Sequence, residues 1–181
     1  MAAAAAAENS KESSRAEIEI LDIIHAPQYI DAVANMCFNE WPEECKDVGI
    51  SSVEDYAADI RNEYMTEGNW PLLLVAIEGS TRNIVGTVAL DPNDMDDRPE
   101  LKPWMASLLV TPGARGRGIG SMLITSALRY ARIYGLSKLY LWAKDDVCAI
   151  YERRGFVPLE HRPDYCGHAV NVMECKLQQE S

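Results

Sequence analysis

Polar and apolar positions alternate one by one over "EIEILDII", Glu17–Ile24, the period of a strand with one buried face. The rhythm then lengthens. In "PQYIDAVANMCFNEW", Pro27–Trp41, the apolar residues Ile30, Val33, Ala34, Cys37 and Phe38 share one face of a helix that Pro27 opens and Pro42 stops. "SSVEDYAADIRNEYM", Ser51–Met65, predicts a second helix behind a capping box, either Ser51 with Glu54 or Ser52 with Asp55. "PLLLVAIE" and "NIVGTVALD", joined by "GSTR", predict an antiparallel hairpin. A polar loop, "PNDMDDRPELK", leads to the strand "PWMASLLV". After a glycine-rich turn comes a helix, "SMLITSALRYARIY", which Gly135 closes. "KLYLWAK" reads as a strand and "DDVCAIYERRG" as a short helix capped by an aspartate. Two strands, "FVPLE" and "AVNVMECKL", flank the loop "HRPDYCGH". The order β α α β β β α β α β β predicts one α/β domain with a mixed central sheet over residues 16–178, without repeats or an internal linker.

Composition narrows the class. The start, "MAAAAAAENSKESSRA", is low-complexity and lacks the basic and apolar regions of a secretory signal, so residues 1–15 read as a disordered tail. No apolar run approaches the roughly 20 residues of a membrane span, which points to a soluble protein. The five cysteines are odd in number, scattered and without a C-x-x-C, which argues against a disulfide framework and against a zinc site, and for the cytoplasm. The three histidines show no ligand spacing, so no metal is expected. A net charge of −11 speaks against nucleic acid and acidic membranes as partners. Yet Gly113–Arg154 carries eight basic and three acidic residues, a surplus of five that leaves −16 on the remainder. A basic island in an acidic protein suits a small polyanion.

The turn before the third predicted helix shows where that polyanion would sit. Arg115-Gly116-Arg117-Gly118-Ile119-Gly120-Ser121 follows a strand and opens a helix. Such a helix mouth has unpaired N–H groups and the positive end of the helix dipole. Its glycines allow close backbone approach, and its arginines can pair with phosphate. The result is a cradle for pyrophosphate. The pattern is neither a P-loop nor a full G-x-G-x-x-G. It resembles the acetyl-CoA signature [QR]-x-x-G-x-[GA] of the GNAT acetyltransferases. "LLVTP" before it, "YGLSKLYLWA" after it and "IYERRGF", similar to the family's Y-x-x-x-GF, extend the likeness, as does the element order.

The resemblance implies acetyl-CoA as cofactor. Its pantetheine would lie along Leu108, Leu109 and Val110, and its pyrophosphate on the amides from Arg115 to Ser121. A backbone N–H near Val110 would stabilise the oxyanion, and Tyr151, in the family's place for it, would protonate the departing thiolate. Cys148 is not needed as a nucleophile. Two family features are missing. The strand "PWMASLLV" holds no carboxylate or histidine, so no base is assigned, and Asp145 and Asp146 replace the asparagine that binds pantetheine in many members.

A second likeness concerns the acceptor amine. "YIDAVANMCFNEWP", "LVTPGARGRGIG" and "KLYLWAKDDV" resemble segments of the animal acetyltransferases that modify the N-terminus of mature actin. That likeness nominates Trp41 as a wall of a peptide site, with Trp104 and Tyr165 beside it. It also implies a protein or peptide N-terminus, such as actin's, as substrate. The proline-rich segment thought to engage profilin has no counterpart here. An acidic actin N-terminus would need local cations, for which Lys102, Lys144, Arg162 and His168 are the candidates. Two other readings stay open: a small-amine enzyme acting on a polyamine or arylalkylamine, and a non-catalytic module that binds acyl-CoA.

Overall fold

Strand β1 (Ile18–Asp22) ends where the Asp22 carboxylate accepts the Ile24 amide at 3.1 Å and turns the chain through two short 3₁₀ turns. The structure is a computed structural model and describes residues 17–66, 70–164 and 166–178, so the alanine-rich start lies outside it. Helix α1 (Ile30–Glu40) buries Ile30, Val33, Ala34 and Cys37. Pro42 stops α1 but also begins a helix the pattern did not show, α2 (Pro42–Asp47). Proline's fixed φ and missing N–H suit a first helical turn, so one residue both ends and starts a helix. Helix α3 (Val53–Tyr64) uses the second of the two possible boxes. The Asp55 amide donates to Ser52 Oγ at 3.0 Å, and the Ser51 amide donates to Asp55 Oδ2 at 3.2 Å.

The hairpin forms as β2 (Leu72–Glu78) and β3 (Ile84–Asp91), followed by β4 (Trp104–Val110). After helix α4 (Ile119–Ile133) come β5 (Lys138–Ala143), α5 (Cys148–Glu152), β6 (Val157–Pro163) and β7 (Ala169–Lys176). A 3₁₀ turn, Asp145–Val147, precedes α5, and the cap position Val147 makes no side-chain capping bond, so the expected aspartate cap is not formed. The sheet order is β1-β2-β3-β4-β5-β7-β6. Every neighbouring pair is antiparallel except β4 and β5.

That parallel pair organises the molecule. Its register holds one partnership, Trp104 with Tyr140, after which the strands diverge. On its other edge β4 bulges. Thr87 faces Leu109 and Ala89 faces Ala106, so Ser107 and Leu108 together oppose Val88. Ser107 takes φ +52, in a left-handed region that ordinary residues enter only at a cost of about 1–2 kcal/mol.

Strand alternation sends side chains to two cores. Leu72, Leu74, Val88, Leu123, Ala127, Leu139, Leu141 and Met173 meet under α4 and α5. Leu73, Val75, Ile77, Ala89 and Leu109 meet α1 and α3 on the opposite face. On that second face, beyond β4, the β3–β4 loop folds Met95 over Trp104, Tyr140, Val170 and Val172.

Candidate active site

The mouth of α4 is built from backbone. Gly118 caps the helix at φ +83 with no side-chain cap, and Gly116 stands at φ +75. The first hydrogen bond across the cap runs from the Met122 amide to the Gly118 carbonyl at 3.1 Å, so the amides of Ile119, Gly120 and Ser121 point out of the helix. A Cβ on Gly116 or Gly118 would meet nothing within 4 Å. Packing therefore does not demand these glycines; the left-handed backbone does, and the open space beside it fits a diphosphate. Gly120 is placed differently. A Cβ there would lie 3.5 Å from Ile150 and 3.7 Å from Val110, so this residue is where α4, α5 and the end of β4 converge.

The two arginines are engaged elsewhere. Arg115 Nε donates to the Val110 carbonyl at 3.0 Å, and its guanidinium stands 3.6 Å from Glu40 on α1. Arg117 pairs with Glu78 on β2 at 2.9 Å and holds that carboxyl below its usual range. Both brace the turn against the domain. Leu108 and Val110 are half-buried on the α4 face, whereas Leu109 is buried toward α1. Leu109 also floors a cleft of about 410 Å³ bordered by Asn35, Asn39 and Glu40 of α1 and by Thr111 and Pro112.

Tyr151 stands on the α4 side of the gap. It is 8% exposed, edge-on to Phe156 at 6.0 Å, and burial, reinforced by Cys148, pushes its phenol up to about 12. Such a hydroxyl keeps its proton at neutral pH and is present as a hydrogen-bond and proton donor. The Cys148 thiol is also raised, mainly by burial, and lies 3.3 Å from the Lys144 carbonyl, which suits a structural thiol better than a nucleophile. Asp145, where the family has an asparagine, accepts a hydrogen bond from Asn171 of β7 at 2.5 Å.

The opposite face carries the groups that the sequence did not reveal. Tyr56 of α3 brings its hydroxyl to Ser107 in the bulge and to Cys37 of α1. Further along α3, Tyr64 donates to Asp91 at 2.6 Å. Asp91 ends β3, and burial pushes its carboxyl up to about 8 despite that bond, with Asp94, Glu63 and Asp59 adding repulsion. Burial also raises Asp94 to about 7, with the Trp142 indole N–H pulling the other way. Trp142 Nε1 is itself buried and falls short of a well-formed hydrogen bond. Trp142 follows the last β5 residue partnered with β4, packs on the Met95–Trp104–Tyr140 cluster, and holds Asp94 at its indole. These carboxyls can exchange protons near neutrality.

The expected substrate residues fare unevenly. Trp41 is half-buried between α1 and α2 and packs on the α1–α3 core. Trp104 is fully buried against Tyr140, so it is a core residue and not a wall of an open site. Its place at the single β4–β5 partnership explains why: this is the closed end of the splay. Tyr165 lies outside the described residues. Of the four expected cations, Arg162 pairs with Asp97 and lies 3.8 Å from Glu160, and His168 stands 3.4 Å from Asp164, while Lys102 and Lys144 are exposed.

Comparison with known families matches residues 30–156 to the Acetyltransferase (GNAT) family, and the chain belongs to that family. It is an acetyltransferase of the GNAT fold, with acetyl-CoA as its cofactor. Comparison with curated proteins finds no match. Among solved structures, an aminoglycoside 6'-acetyltransferase type Ii is similar at TM-score 0.65 and 19% identity, with 91% of this chain and 99% of that one covered. The yncA protein of Salmonella typhimurium, solved with its cofactor acetyl-CoA, is similar at 0.66 and 14% over 91% and 96% of the chains. Ard1 from Thermoplasma volcanium is similar at 0.65 and 16% over 89% and 98%. Among the described residues no helix is long and apolar enough to cross a membrane.

Proposed function

We propose that the protein transfers an acetyl group to a primary amine that enters on the α1–α3 face, with Asp94 as proton acceptor and Tyr151 as proton donor. Acetyl-CoA supplies the thioester when bound, with its pyrophosphate on the amides of residues 116–121. The acceptor ammonium would give one proton to Asp94, directly or through one water, and the free amine would then bond to the acetyl carbon as the C–S bond breaks. Tyr151 would give its proton to the departing sulfur and recover one through solvent from the second proton that the nitrogen sheds, while Asp94 returns its proton to solvent. What supports this reading is that Tyr151 packs in the core under α4, beside the helix that the glycine turn opens, whereas Asp94 meets Trp142 on the other face of the sheet.

The same geometry bears on which amine is used. Asp59, Glu63 and Asp94 disfavour ionisation of Asp91 by repulsion, and a cationic acceptor such as a polyamine or an aminated small molecule would relieve that repulsion, which favours it. The acidic N-terminus of mature actin, suggested by the sequence likeness, is the second reading. It rests on Trp41 and on Lys102, Lys144 and His168, since Arg162 is already paired with Asp97.

The test is to follow free thiol with acetyl-CoA and three acceptors: spermidine, a peptide beginning Asp-Asp-Asp, and one beginning Ser. Turnover on spermidine, lost about a hundredfold in Tyr151→Phe while acetyl-CoA still binds, is the expected result. Turnover on the acidic peptide alone would replace the cationic acceptor with the actin-type one. Tight acetyl-CoA binding without turnover on any amine would leave a non-catalytic module.

A further inference from the structure

The β6–β7 loop brings together three metal-ligating residue types that alternate along five positions, Asp164, Cys166 and His168. Their donor atoms all lie within 4.8 Å of one another. The loop is held in this form by its backbone. The Asp164 amide donates to the His168 carbonyl at 2.8 Å, the His168 amide returns to Asp164 Oδ1 at 2.7 Å, and Gly167 turns at φ +83. A fourth donor comes from another element, because Asp47, the last residue of α2, places Oδ2 at 3.3 Å from Cys166 Sγ.

We propose that Asp47, Asp164, Cys166 and His168 form a zinc-class metal site joining α2 to the β6–β7 loop. The Asp164 side chain is only 1% exposed, and its Oδ2 is buried without a hydrogen bond, at 3.4 Å from His168 Nδ1. A buried carboxylate oxygen left without a donor is costly, and a cation there satisfies it. Around zinc, bonds of about 2.0–2.1 Å to N or O and 2.3 Å to S give tetrahedral edges of roughly 3.3–3.6 Å. The Cys166–Asp47 and His168–Asp164 pairs, at 3.3 and 3.4 Å, already have that spacing.

The donor set holds two carboxylates, Asp47 and Asp164, whose charge a dication would offset, and binding through the Cys166 thiolate would release its proton. Lys46, the nearest lysine in sequence, is turned to Glu43 at 3.4 Å. Asp47 touches Cys166 but stands outside the mutually close set of three, so it completes the coordination by a side-chain shift; four protein ligands then leave no open position, and the role assigned is structural, tying together two segments that border the acceptor face. The histidines alone did not show this in the sequence, because two of the four donors are carboxylates and one arrives from α2.

The full-length protein, stripped with chelator and dialysed, would be titrated with Co²⁺ and then Zn²⁺. The expected result is saturation at one Co²⁺ per chain, with tetrahedral visible bands and a thiolate-to-cobalt charge-transfer band that Zn²⁺ removes. Cys166→Ser should abolish the charge-transfer band. His168→Ala and Asp47→Asn should weaken binding tenfold or more with unchanged far-UV circular dichroism, and affinity in the unaltered protein should rise with pH. Failure to saturate, or a charge-transfer band that survives Cys166→Ser, would overturn the proposal. The metal titration needs no acetyl-CoA and no turnover, so its outcome is separate from that of the acetyltransfer assay.

Discussion

The two sides of the β4–β5 gap are made from different materials. On the α4 side, the binding surface is main chain: left-handed Gly116 and Gly118, helix-mouth amides, and open space where side chains would be. On the α1–α3 side it is side chain: Tyr56 on the Ser107 bulge, Tyr64 on Asp91, Asp94 beside Trp142. The first side suits a ligand that never changes, a diphosphate at a helix terminus. The second can be rewritten residue by residue without disturbing the first. One family can therefore keep its cofactor and vary its acceptor.

The sharpest way to break this contrast is to remove one proton acceptor. Asp94→Asn should lower kcat/KM about a hundredfold at pH 7 while leaving acetyl-CoA affinity unchanged. The rise of rate with pH near 7 in the unaltered protein should disappear with it. The same carboxyls set a sign for stability. Both are raised in the folded chain, to about 8 for Asp91 and about 7 for Asp94, so the folded state holds more protons than the unfolded one between the ordinary aspartate range and pH 8. Stability should fall as pH rises through that window, and thermal melts at pH 6 and pH 8 should differ less in Asp94→Asn.

On the main-chain side the expected effects are smaller and fall on binding. Gly118→Ala forces a Cβ residue to φ +83 at a cost of about 1–2 kcal/mol, so acetyl-CoA affinity should drop roughly tenfold by calorimetry. Arg117→Ala should weaken affinity only a few-fold, because that guanidinium is spent on Glu78. A larger loss in Arg117→Ala than in Gly118→Ala would show that charge, and not backbone, dominates the cradle.

The contrast also explains what could be read from the sequence. A backbone site leaves its mark in residue types, since only glycine serves at Gly116 and Gly118, and the helix that follows announces itself by period. The element order was legible for the same reason. The acceptor side left no such mark. Asp59, Glu63, Asp91 and Asp94 stand on a helix, a strand end and a loop, and each looked like an ordinary solvated charge. Burial, not spacing, gives them their chemistry. The Ser107 bulge was hidden because one extra residue in a strand leaves the apolar pattern nearly intact. Trp104 was misassigned because its neighbour Tyr140 lies on a strand whose register sequence cannot show.

Gly86 gives the splayed strand a second significance. A Cβ at that position would stand 2.8 Å from the Leu109 carbonyl and 3.0 Å from Leu123. Neither strand β3 nor helix α4 can hold β4 at its present distance if this residue gains so much as a methyl group. The separation that defines the gap is thus gauged from behind, by a spacer one strand removed from any ligand. In a library of variants scored for growth or turnover, this position should tolerate nothing, and it would be mistaken for part of the chemistry that it only measures out.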